Sequence, residues 1–105
     1  MYIYSVTITI ETVAEQEWLK FMQQKHIADV LKTGYFTTAS MRKAVNEENA
    51  AFVTYNIEYT ANSMEAYTQY QQLEAARLQK DVADRFSGKF TAQRTVYQKS
   101  SRALI

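Results

Sequence analysis

Apolar and polar positions along this chain alternate, give way to a helical stripe, alternate again, and then repeat the whole cycle. From Tyr2 to Ile10 the even positions are Tyr2, Tyr4, Val6, Ile8 and Ile10, with Ser5, Thr7 and Thr9 between them. Period two with one apolar face predicts a half-buried strand. Thr12 and Glu15 have the spacing of a capping box, which predicts a helix start. The stripe Glu15, Trp18, Leu19, Met22, His26 and Val30 continues it over Val13 to Thr33, and Gly34 supplies a left-handed stop.

Tyr35 to Val45 returns to a β-like composition, and Asn46-Glu47-Glu48-Asn49 reads as a hairpin connection. The next strand, Ala51 to Thr60, turns Val53, Tyr55, Ile57 and Tyr59 toward the core. Asn62 and Glu65 repeat the capping signal for a second helix, Ser63 to Phe86, with Met64, Tyr67, Gln71, Ala75, Leu78 and Val82 on one face. Gly88 ends it, and Phe90 to Tyr97 is a fourth strand. The order strand, helix, strand, strand, helix, strand predicts a ferredoxin-like α+β sandwich. Its four-stranded antiparallel sheet should run 4-1-3-2, with both helices on one face. Residues 1–99 are expected to form one domain and 100–105 a tail, on which Leu104 and Ile105 could dock onto a neighbour.

Composition narrows the chemistry. Twelve basic and eleven acidic residues leave a net charge of +1, too little field to gather nucleic acid or an anionic membrane, and neither partner is expected. Ala51-Phe52-Val53-Thr54-Tyr55 matches half of an RNA-recognition strand signature. Its basic-glycine pair is missing, and Ala50 stands where an aromatic should stack. The absence of cysteine and a single histidine argue against a metal cage, and two glycines cannot build a phosphate-binding loop, so no metal or other cofactor is expected. The absence of a long apolar run predicts a soluble, cytoplasmic protein.

Two polar residues fall on core-facing positions. His26 lies in the apolar stripe of the first helix, near Tyr4, Tyr55 and Tyr59. A histidine among phenols could be a general base, with the tyrosines holding a phenolic or carbonyl ligand. The plainer reading is a buried neutral imidazole whose N–H goes to a tyrosine or a carbonyl. Arg94 is in register with Phe90, Ala92 and Val96 and should point beneath the second helix. It is either an anion-binding group for a carboxylate or a structural partner of Glu74 or Asp81, the pairing being the plainer of the two.

The segments His26-Ile27-Ala28-Asp29-Val30-Leu31-Lys32-Thr33-Gly34-Tyr35-Phe36-Thr37 and Arg85-Phe86-Ser87-Gly88-Lys89-Phe90-Thr91-Ala92-Gln93-Arg94-Thr95, with Trp18-Leu19, resemble a small bacterial family, domain of unknown function 4286. Gln93 stands where that pattern has an aromatic. The resemblance runs nearly end to end and implies a dimeric α/β-barrel, a homodimer formed through the open sheet face. Better-known relatives of that architecture resemble cofactor-independent monooxygenases, small isomerases, haem-handling proteins and ligand sensors. The sequence therefore predicts a small dimeric α/β-barrel protein that binds a small molecule between helices and sheet. The alternatives are a cofactor-independent monooxygenase or isomerase using His26 as base, and a non-catalytic assembly module.

Overall fold

The computed structural model describes residues 1–45 and 50–99, so the hairpin expected at 46–49 and the tail at 100–105 lie outside the described residues. Strand β1 (Tyr2–Glu11) is central, hydrogen-bonded antiparallel to β3 (Phe52–Ala61) on one side and to β4 (Phe90–Gln98) on the other; β2 (Thr38–Lys43) completes the sheet beyond β3. The order β2-β3-β1-β4 is the expected one read from the opposite edge. No helix among the described residues is long and apolar enough to cross a membrane.

The pleat sorts the sheet into two faces. Tyr4, Val6, Ile8 and Ile10 of β1 sit beside Tyr59, Ile57, Tyr55 and Val53 of β3 and beside Val96, Arg94, Ala92 and Phe90 of β4. This face packs against the helices in one core, which buries Trp18, Ile10, Ile57, Leu78 and Val30 almost completely. Each such side chain contributes roughly 1.5–3 kcal/mol relative to exposure. The other face is polar. Asn56 Nδ2 donates to Ser5 Oγ at 2.9 Å and to Thr7 Oγ1 at 3.1 Å, and the hydroxyls of Thr9 and Thr54 meet at 3.2 Å.

β2 is shorter than expected because its first aromatics leave the ladder for the core. Phe36 is 5% exposed, with its ring centroid 4.8 Å from that of Tyr70 and 5.4 Å from that of Tyr59. The caps also differ from expectation. Thr12 Oγ1 donates to the Ala50 carbonyl at 2.7 Å, and Glu15 turns to the sheet, so neither closes a capping box. At the second helix the cap is Ser63, whose Oγ accepts from the Ala66 N–H at 3.1 Å, rather than Asn62. That helix is two segments, α2 (Met64–Leu73) and α3 (Ala75–Phe86), which meet at Glu74, where φ is −127°. The break shifts the buried stripe to Tyr70, Ala75, Leu78 and Val82 and leaves Met64 exposed. Both glycine stops are present, with φ of +83° at Gly34 and +75° at Gly88.

The first helix, α1, is one continuous run with three pitches. A 3₁₀ turn, Thr12–Ala14, leads into α-helical Glu15–Phe21; Met22–His26 is π-helical, and Ile27–Lys32 is α-helical again. The Ile27 N–H reaches back five residues to the Met22 carbonyl. The cause is visible in the spacing. Trp18, Met22, His26 and Val30 are four residues apart throughout, and all four are buried. An α-helix of 3.6 residues per turn would carry such a row about 120° around its axis. One wide turn absorbs the surplus residue and keeps the row on the sheet. Deleting solvent-facing Gln24 changes the spacing to four, three, four, which an α-helix accommodates. The deletion variant should therefore unfold in urea within about 1 kcal/mol of the wild type, the scale of one backbone hydrogen bond. A loss above about 3 kcal/mol would mean that the wide turn itself holds the helix in place.

Candidate functional site

The row that the π turn aligns forms one wall of a cavity of about 40 Å³ between α1, α3 and the sheet. Trp18, Met22, His26 and Val30 line it from the helix; Tyr4, Tyr59, Tyr70, Gln79 and Arg94 bring the other polar groups. A water needs about 10–15 Å³ measured in this way, so the space holds a few waters or a molecule of a few heavy atoms. Half-buried Gln79 and exposed Arg94 belong to its solvent side, and the phenols to its floor.

His26 is 9% exposed, with its ring centroid 5.9 Å from that of Phe21. Its Nδ1 is sealed and has no hydrogen-bond partner among the described residues, so the partner expected from the plainer reading is not found at that atom. The Nε1 of Trp18, in the same wall, is also buried without a partner among the described residues. Burial pushes the imidazole below the usual histidine range; Asp81 and Asp29 oppose the shift, while Lys25 and Arg94 reinforce it. The ring is therefore neutral at pH 7. Because the unfolded chain binds this proton more readily, the contribution of His26 to stability falls as pH drops through the window just below 6.5.

Arg94 shares the core-facing register, as expected, but it is exposed, and among the described residues it makes no ion pair. Its expected partners are engaged elsewhere. Glu74 pairs with Arg77, and Asp81 with Arg85 and Lys25. The charge of Arg94 acts instead on His26, Tyr67 and Tyr70. Tyr4 and Tyr59 line the cavity as the sequence reading placed them, with ring centroids 5.9 Å apart. Burial raises the phenols of Tyr59 and Tyr70 well above the usual tyrosine range, so both keep their protons. Tyr70 and Gln79 did not emerge as site residues from the sequence, because the break at Glu74 is what turns them inward.

Tyr55 lies elsewhere. Its ring packs on Trp18 at 5.0 Å, and its hydroxyl donates to the Glu15 carboxylate, which also accepts from Lys43 Nζ at 2.7 Å. The sequence held a clue, since Glu15 opens the apolar stripe of α1 and Lys43 follows Ala39 and Met41 on the core-facing parity of β2. These bonds, that of Lys43 first and that of Tyr55 next, hold the Glu15 carboxyl below the usual range against the opposing effect of burial. No group of three or more metal-binding side chains is assembled among the described residues.

The Glu15 cluster should show in the pH dependence of folding. A depressed folded-state pKa stabilises the native state above the unfolded value of 4.5 and loses that contribution as pH falls through the folded value. Glu15→Gln should therefore cost about 1–2 kcal/mol at pH 7, the scale of a charge-assisted hydrogen bond with a partly solvated lysine. The gap to the wild type should close in acid melts below about pH 4. A gap that stayed constant across the range would show that the carboxylate charge contributes nothing.

The same backbone occurs in solved structures of distant sequence. HapK from Hahella chejuensis superposes with a TM-score of 0.69 at 10% identity, over 100% of this chain and 98% of that one. A dimeric ferredoxin-like protein from an uncultured marine organism gives 0.65 at 12% identity over 100% of both chains. SnoaB from Streptomyces nogalater, a cofactor-independent oxygenase, gives 0.60 at 12% identity over 98% and 96%. At such identities the likeness establishes the ferredoxin-like fold and leaves activity open. A search of curated proteins gives no match. The relation that reaches the sequence itself covers residues 1–100, the helical row, the glycine stops and the β4 arginine included: the chain belongs to the family described as domain of unknown function, DUF4286.

Proposed function

We propose that the protein binds a small molecule in the cavity between α1, α3 and the sheet, where His26, Arg94, Tyr4 and Tyr59 contact it. The observation that carries this reading is the meeting, in one cavity, of a buried histidine whose Nδ1 has no hydrogen-bond partner and an arginine with no ion pair, both among the described residues. Buried polar groups in a purely structural core are satisfied, and perturbed groups lining a cavity are candidates for function. Tyr55 is left out because its hydroxyl is committed to Glu15. We further propose a cytoplasmic homodimer joined through the polar sheet face. The dimeric ferredoxin-like neighbour supports the pairing, and the lack of cysteine fits a reducing compartment. Near-zero net charge supports the reading that nucleic acid is not the partner.

A second reading makes the protein a cofactor-independent enzyme of the monooxygenase or isomerase type, with His26 as base. Its support is the neutral imidazole, which keeps a lone pair free at pH 7.

Trp18 is the single tryptophan and lines the cavity, so its fluorescence reports occupancy directly. A set of neutral and anionic compounds of two to four carbons should include one that shifts the emission, and His26→Phe, which fills the space, should abolish the response while the protein stays folded. Silence across the set in a folded wild type would favour the assembly-module alternative. Sedimentation at micromolar protein should give a dimer, and Thr7→Arg on the open face a monomer; a wild-type monomer would sink the dimer.

A further inference from the structure

We infer that the occupant of the cavity is a small carboxylate held by hydrogen-bond donors alone, with the guanidinium of Arg94 at the mouth and the Nε2–H of His26 in the wall. This rests on the binding reading above and names the chemical class that reading leaves open. Among the described residues, no aspartate or glutamate lines the cavity. The one permanent charge among its described lining residues is the cation of Arg94, and both acids expected to neutralise it pair with other residues. A planar guanidinium fork matches a carboxylate in two parallel bonds, whereas a neutral or cationic occupant leaves it without a counter-charge.

His26 contributes a donor for a reason found in its surroundings. A neutral imidazole carries one N–H, on either nitrogen. On Nδ1 that proton would be a sealed donor with no acceptor, the arrangement folded proteins avoid most strongly. The proton therefore belongs on Nε2, the ring nitrogen that is not sealed, and the tautomer follows from the hydrogen-bonding options of the ring. Acting as a base would require the ring to carry protons on both nitrogens, again stranding one at Nδ1, so this placement favours binding over base chemistry. The phenols of Tyr59 and Tyr70 stay protonated and can donate as well, and Gln79 offers its amide. The volume of about 40 Å³ limits the ligand to the size of acetate or propionate.

Sodium propionate and propionamide have nearly the same shape and differ in charge, so the pair isolates the carboxylate. With sodium chloride as the ionic control, propionate should change Trp18 fluorescence, propionamide at equal concentration should not, and Arg94→Gln should weaken propionate about tenfold or more. Nitrogen-15 NMR of the imidazole should report the Nε2–H form. If propionamide binds as well as propionate, or Arg94→Gln leaves the affinity unchanged, the carboxylate assignment falls while the cavity reading survives. A proton found on Nδ1 overturns the role given to His26. If neither probe binds and the neutral compounds of the preceding test are also silent, the cavity reading falls with it.

Discussion

Strand β1 is hydrogen-bonded along both edges and apolar on one face only, and the rest of the molecule follows from that constraint. Its two flanking ladders fix the register of β3 and β4, so Tyr4, Val6, Ile8 and Ile10 gather the core-facing residues of both neighbours into one surface. The other face is closed to the helices by its own chemistry. Asn56 donates across the strands to Ser5 and Thr7, the hydroxyls of Thr9 and Thr54 meet, and these side chains offer little apolar area to cover. Both helical layers therefore stack on the same side, and every polar side chain that parity places there must find a partner or a use.

Two such groups on α1 found different solutions. Glu15, at the start, is enclosed by a phenol and an ammonium that satisfy its charge, so the buried carboxylate becomes a tie between α1, β2 and β3. His26, eleven residues on, has no such partner at Nδ1 among the described residues and lines a space it shares with Arg94. The start of the helix is closed electrostatically, and the buried side chain further along retains unused hydrogen-bonding capacity. The π turn, which ends at His26, keeps Trp18, Met22, His26 and Val30 in line. A wide turn is a strained way to build a helix, and such turns recur where side-chain placement matters to function.

The ferredoxin-like backbone is shared with proteins as different as a cofactor-independent oxygenase and a dimeric ferredoxin-like protein. Nothing in that sharing selects an activity, because function resides in the groups that a particular sequence directs into the site. Among the described residues those groups are an arginine, an imidazole, an indole, three phenols and an amide, with no acidic side chain among them. That disposition suits recognition of an anion better than proton abstraction, since donors dominate and the one candidate base has a sealed second nitrogen.

Local periodicity alone determined the elements, their order, the core-facing parity of each strand and the two glycine stops, because side-chain period and backbone handedness are properties of neighbours in sequence. It also placed His26 and Arg94 on the core side. The wide turn was present in the unbroken four-residue spacing from Trp18 to Val30, but it takes packing against a sheet to decide whether a helix drifts or widens. Whether Glu15 caps a helix or crosses to Tyr55 and Lys43 depends on residues 28 and 40 positions away, and so does the departure of Tyr55 from the site. The same holds for Arg94, whose charge has no ion-pair partner among the described residues because Arg77, Arg85 and Lys25 reach Glu74 and Asp81. Tertiary structure alone made these decisions, because electrostatic partners and cavities are set by distances in space that a one-dimensional pattern does not encode.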